Sequence, residues 1–150
     1  MFKTQEATVI MGTDATQTGE FPMGDYLQVF ISDLYRSSQL KFEGTQDDWH
    51  GVKLRRYGID DRDLESADVN ASQADFFQFG VQGMENMSVA AGFPLFATKP
   101  HFLDGDDSLL TGVVGMNPNK EHHDTYVDFE PITGVAMRVA KRLQVSEGRK

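Results

Sequence analysis

Apolar positions along the chain follow two spacings. Between Gly24 and Ser37, Leu27, Phe30, Ile31 and Leu34 fall at i, i+3, i+4 and i+7, with Gln28, Ser32 and Asp33 turned away. That stripe predicts an amphipathic helix. Asp25 fits its N-cap, because a carboxylate there accepts an orphan backbone N–H, and Arg36 lies near the end where the helix dipole favours a cation. The other apolar runs are short and bounded by turn residues. Val52–Tyr57 ends at Gly58, Asp75–Gly80 carries Phe76, Phe77 and Phe79, and Phe93–Thr98 and Thr125–Phe129 complete the set of candidate strands. Asp60–Asp63, Asp104–Asp107 and Asn117–Asn119 have turn and loop compositions. From Val135 to Val145 the period is two. Val135, Met137, Val139, Lys141, Leu143 and Val145 share one face, and Ala136, Arg138, Ala140, Arg142 and Gln144 the other, which predicts a strand. Lys141 breaks the apolar face, so the strand leaves the core there or the ammonium reaches outward. The pattern as a whole predicts a β-rich α+β fold with a few helices.

Composition narrows the function. A chain of 150 residues suits one domain. Its 23 acidic and 14 basic side chains give a net charge of −9, which counts against binding nucleic acid and against a polybasic membrane-surface module. The absence of cysteine excludes disulfides, thiolate metal sites and a Cys nucleophile. No stretch approaches the ~18–20 apolar residues of a membrane-spanning helix, and Met1–Glu6 has no signal-like apolar region. By residues alone the chain reads as soluble and unexported.

Catalytic chemistry is not visible. In Glu121-His122-His123-Asp124 the adjacent histidines diverge on a strand and on a helix alike, and their spacing matches no zinc motif. Asp104-Gly105-Asp106-Asp107-Ser108 has the start of a calcium loop, but Leu109 and Gly115 occupy the positions needing glycine and the bidentate glutamate. Nucleophile elbow, phosphate loop, dinucleotide fingerprint and H-E-x-x-H are all missing. No catalytic, cofactor or metal residue is therefore expected. Asn70-Ala71-Ser72 and Asn86-Met87-Ser88 are sequons, so Asn70 and Asn86 are N-glycosylation candidates if the chain is luminal or extracellular.

Four blocks in the last third carry more information. Phe93-Pro94-Leu95-Phe96-Ala97-Thr98-Lys99-Pro100-His101-Phe102-Leu103 is followed by Gly115-Met116-Asn117-Pro118-Asn119-Lys120-Glu121-His122. Then come Thr125-Tyr126-Val127-Asp128-Phe129-Glu130-Pro131-Ile132-Thr133-Gly134 and Ala140-Lys141-Arg142-Leu143-Gln144-Val145. In order and spacing this succession resembles the class B scavenger receptor family, which includes fatty acid translocase and the lysosomal integral membrane proteins. Gly12–Ala15, Phe21-Pro22 and Ser32–Ser37 are similar more loosely, and about Gly44 to Gln73 the likeness is slight.

The resemblance implies a non-enzymatic membrane receptor with a glycosylated extracellular or lysosomal-luminal ectodomain. It also implies an antiparallel β-barrel-like sheet around a hydrophobic tunnel, and lipid or lipoprotein ligands. A protein ligand and the membrane would be met through parts outside this chain, which corresponds to the later part of a single ectodomain and reads as a fragment. Val135, Met137, Val139 and Leu143 would then line either the tunnel or ordinary core. Relatives carry cysteine near Ala7, Tyr35 and Met87, so this sheet must hold by packing alone or be less stable. A partial barrel is expected to be an open, curved sheet with an exposed apolar concave face. The rival reading is a small cytosolic β-rich binding or enzymatic domain.

Overall fold

The computed structural model of the chain describes residues 8–19, 22–77 and 81–148. In chain order its strands are β1 (Tyr26–Ile31), β2 (Arg36–Trp49), β3 (Val52–Ile59), β4 (Glu85–Asn86), β5 (Leu95–Thr98), β6 (Tyr126–Phe129), β7 (Ala136–Ala140) and β8 (Gln144–Glu147). Three one-turn helices, α1 (Ser88–Ala91), α2 (Ser108–Thr111) and α3 (Lys120–His123), lie between them. The chain divides into two compact units. A large-sheet unit comprises residues 10–60 and 125–141, and a small-sheet unit comprises residues 1–9, 61–124 and 142–150.

The large sheet has the order β1-β2-β3-β6-β7 and is antiparallel throughout. Its first strand replaces the helix expected over Gly24–Ser37. That segment is β1, a 3-10 turn at Ser32–Leu34, Tyr35 in the left-handed region at φ 54°, and the start of β2. Leu27 and Ile31 stand on one face under either periodicity, because a spacing of four is both nearly one helical turn and two strand repeats. Val29, which helical spacing would carry away from that stripe, decides the matter, and like Leu27 it is buried. β-branched and aromatic residues at Tyr26, Val29, Phe30 and Ile31 favour the strand, and pairing with β2 completes it. Asp25 consequently caps nothing helical and pairs with Arg55 at 3.6 Å, while Arg36 is buried within β2.

The strand expected at Val52–Tyr57 is present as β3, joined to β2 by His50 and Gly51, both at positive φ, a two-residue turn that matches strand twist. The expected strand at Thr125–Phe129 is β6. Glu130 builds the turn after it. Its carboxylate accepts the Ile132 and Thr133 amides at 2.9 and 2.6 Å and the Thr133 hydroxyl at 2.7 Å, and Gly134 closes the turn at φ 68°.

One face of the large sheet forms a core of Met23, Leu27, Val29, Leu40, Tyr57, Val127 and Phe129. Each fully buried side chain of this size contributes about 1.5–3 kcal/mol. On the opposite face Arg56 makes a two-armed pair with Asp128, both arms 2.7 Å, and lies 3.6 Å over the Tyr126 ring. β1 and β7 are the open edges of the ladder. The irregular segment 13–18 tacks across them with single bridges, Thr13 to Val29 and Gln17 to Val135. The sheet is thus a half-barrel whose edges are tied by a strap. The strap needs Gly12, where a Cβ would sit 1.9 Å from the Gln28 carbonyl oxygen.

In the small-sheet unit, β4, β5 and β8 pair antiparallel in that order. The strand expected at Phe93–Thr98 is β5. The long strand expected from Val135 to Val145 exists as two, β7 in the large sheet and β8 in the small one, with Lys141–Leu143 between them. Asp75–Phe77 are not a strand: they continue in turns from a 3-10 turn at Ala71–Gln73, whose N-cap Asn70 accepts the Ser72 amide. Phe76 and Phe77 pack there as a buried pair. The rest of that expected strand, including Phe79, lies outside the described residues.

Candidate ligand cavity

Strand alternation decides which side chains face inward in the large sheet. Register places Leu27 opposite Leu40, Leu40 opposite Ile59, Tyr57 opposite Val127, and Val127 opposite Val139. Part of this face is filled. Tyr57 packs edge-on to Phe129 at 5.9 Å, and its hydroxyl donates to the Gly24 carbonyl at 2.7 Å. The remainder borders a cavity of about 420 Å³ lined chiefly by Ala15, Val29, Ile31, Leu40, Tyr57, Ile59, Val127, Ala136 and Val139. That size falls within the ~300–1,000 Å³ of small-molecule sites. Its polar lining is confined to Asp14, Thr16, Ser32, Thr125 and Lys141.

The arrangement of β7 is not the simple alternation of its sequence. Asp128 pairs with Arg138 but Phe129 pairs with Ala136, so Met137 is the extra residue of a bulge. Ala136 and Val139 therefore both border the cavity, Val139 while still 60% exposed, whereas Met137 and Val135, also exposed, do not. Leu143 lies outside the large-sheet unit. Lys141 is the residue that disturbed the apolar face of this stretch. It reaches the cavity lining and forms an ion pair with Asp33. Asp14 accepts both the Thr16 amide at 3.1 Å and the Thr16 hydroxyl at 2.6 Å. These bonds, the hydroxyl's foremost, hold its carboxyl below the usual range, so it is ionised at neutral pH.

The small-sheet unit gathers three of the four sequence blocks into one cluster. Lys99, 7% exposed, donates to Asp104 at 2.5 Å and to Asp124 at 2.6 Å. Burial works against its ammonium, but these two carboxylates outweigh it and raise its pKa. The His101 amide donates to the Gln144 side chain at 3.2 Å, and the Arg142 guanidinium donates to the Asp124 carbonyl. The rings of His101 and His123 stack with centroids 4.3 Å apart and planes 5° apart. Nδ1 of His101 accepts the Asn117 amide and Nδ1 of His123 the Asn119 amide, each at 3.0 Å. Both histidines thus serve a fold, and among the described residues no group of three metal-ligating side chains converges.

Protonating the His123 ring at Nδ1 turns an acceptor into a donor aimed at the Asn119 N–H, and adds charge beside a stacked partner. Removal from water lowers the His123 pKa, and His101, His122 and Arg142 lower it further. Because the folded value lies below the unfolded one (about 6.5), the unfolded chain takes the proton first. Stability is complete above about pH 6.5 and declines as pH falls through that value. Melting of the small-sheet unit is expected to come at a lower temperature at about pH 5.5 than at about pH 7.5. His123→Gln, which keeps an acceptor, should flatten that dependence, and an unchanged slope would exclude the pair as its source.

With this geometry in place, comparison with known proteins decides the family. The CD36 family model matches residues 1–147. The chain belongs to the CD36 family. The CD36 family is the class B scavenger receptor group to which the four blocks pointed. Among curated CD36 relatives, lysosome membrane protein 2 of Mus musculus is 32% identical over 149 residues, 95% of this chain and 30% of the relative. The Homo sapiens protein of that name is 30% identical over 152 residues. Sensory neuron membrane protein 1 of Bombyx mori is 33% identical over 135 residues, 89% of this chain and 26% of the relative. The chain thus spans about 30% of the length of the first of these CD36 relatives.

The two sequons sit differently. Asn70 is partly exposed, its side-chain oxygen accepting the Ser72 amide and hydroxyl. Asn86 is 5% exposed within β4, its oxygen turned to the Ser88 amide. Residue spacing had not singled out the cavity's Val29, Leu40, Ile59 and Val127, although each sits on one side of its strand.

Proposed function

We propose that this chain forms a lipid-holding part of a non-enzymatic membrane receptor, on the extracellular or lysosomal-luminal side. The observation that carries the reading is the apolar cavity of the large-sheet unit, whose lining is aliphatic and aromatic and whose polar groups are few. Apolar lining of this kind gains by covering a hydrocarbon chain rather than water. Membrane location is supported by relatives whose names describe lysosomal and sensory-neuron membrane proteins. Passage of lipid to or from a bilayer, and lipoprotein or protein ligands, belong to the whole receptor. Of the four side chains offered by the alternating stretch, this reading uses Val139 as cavity wall and leaves Val135, Met137 and Leu143 elsewhere. Of the two sequons, the partly exposed Asn70, whose amide nitrogen makes one long 3.4 Å contact to the Arg62 carbonyl, suits a glycan better than the buried Asn86.

Filling the cavity tests the reading. Ala136→Phe places an aromatic ring where Ala136 now lines the space. Binding of a fluorescent long-chain alcohol is expected to weaken about tenfold or more while the melting temperature holds. Undiminished binding in the filled variant would exclude this cavity as the lipid site.

A further inference from the structure

The cavity's rim carries charge of a particular balance. Among the described residues Lys141 is the one cation in the lining, and it is engaged by Asp33. Asp33 reaches the rim through Lys141 and is not itself a lining residue, whereas the carboxylate of Asp14 belongs to the lining, held by Thr16 and open to solvent. The remaining polar lining consists of neutral hydroxyls on Thr16, Ser32 and Thr125.

We propose that Asp14, Asp33 and Lys141 form an anion filter at the cavity rim, which admits amphiphiles with a neutral hydroxyl head and disfavours those with a free carboxylate. This rests on the lipid-holding reading above. A hydroxyl head can donate to a rim carboxylate and accept from a rim hydroxyl without disturbing the Lys141–Asp33 pair. A carboxylate head must either displace Asp33 from Lys141, leaving that carboxylate without its cation, or sit near Asp14 with no cation of its own. In both cases the rim holds one more negative charge than with a neutral ligand. The pair is half-exposed, 44% and 58% for Lys141 and Asp33, so the effect is one of charge balance in partly screened surroundings. Lys141 is then a specificity residue whose removal harms carboxylates selectively.

The test is titration of the full chain with 1-dodecanol and with dodecanoate at low and moderate salt. An ionised head is harder to desolvate anywhere, so the raw preference for the alcohol is not diagnostic; the change in that preference is. Asp14→Asn/Asp33→Asn is expected to narrow the alcohol-over-carboxylate ratio about threefold to tenfold, and Lys141→Met to widen it by a similar factor. Lys141→Arg should leave it unchanged, and added salt should shrink every difference. Folding of each variant is read separately from its Trp49 urea transition, and the ratio of the two ligands within each variant is the quantity compared. A ratio that is the same in wild type and the double-asparagine variant would overturn the filter while leaving the lipid site standing. Failure of both ligands to bind wild type would overturn the cavity reading and the filter with it.

Discussion

Lys99→Met is expected to destabilise the small-sheet unit by about 3–5 kcal/mol, the cost of leaving a buried ionic partner uncompensated. Lys99 reaches both Asp104 and Asp124 at hydrogen-bond distance, and Asp124 is as buried as the lysine. Lys120 approaches Asp124 only to 3.5 Å from a largely exposed position. Without Lys99, two carboxylates face each other, and the backbone they anchor includes His101, Phe102 and Asp104, all non-glycine residues at positive φ. Each such residue carries strain of about 1–3 kcal/mol that its surroundings must hold. Amide exchange of residues 99–124 measures the loss. Lys99→Met/Asp124→Leu should recover part of it, because removing both partners leaves no orphan charge. A single variant with wild-type exchange would show that the pair contributes nothing to the fold. Since the lysine pKa is raised, its contribution is complete below the unfolded value near 10.4 and is lost only as pH rises through the folded value. No change from this group is expected between neutral and acid pH.

Phe129→Ala is expected to cost the large-sheet unit a similar amount, about 3–5 kcal/mol. Phe129 is 0% exposed, touches the Tyr57 ring edge-on, and joins β6 to the packed part of the inner face. Truncation removes its burial and leaves a void that the strands, held by their hydrogen-bond ladders, cannot close. Phe129→Leu should cost about 1.5 kcal/mol or less. Trp49, the single tryptophan of the chain, lies in β2 and reports unfolding of this sheet directly. An alanine variant whose Trp49 transition stays at the wild-type urea concentration would show that the core does not depend on this ring.

Legibility varied with how local the determining physics was. β3 and β6 were readable because runs of strand formers end at Gly58 and at the Glu130–Gly134 turn. The first strand was misread as a helix because Leu27 and Ile31 satisfy both periods, and only pairing with β2 separates them. β2 itself gave little signal. Its sequence from Arg36 to Trp49 is mostly polar, and it buries Arg36 and Ser38, so pattern alone could not mark it as the central partner of β1 and β3. The bulge at Met137 was also out of reach, since nothing in an alternating sequence says where a register slips.

By itself the amino-acid sequence determined family membership, the β-rich class, and the turns whose hydrogen bonds join residues a few positions apart. Tertiary structure alone decided that Val139 meets Val127, that Lys141 meets Asp33, and that Arg56 meets Asp128 across a separation of 72 residues. The reason is range. A turn is set by the sterics and hydrogen bonds of neighbouring residues, which the sequence displays. A cavity is what remains when distant strands have settled into one register, and that register is selected by the fit of the whole sheet.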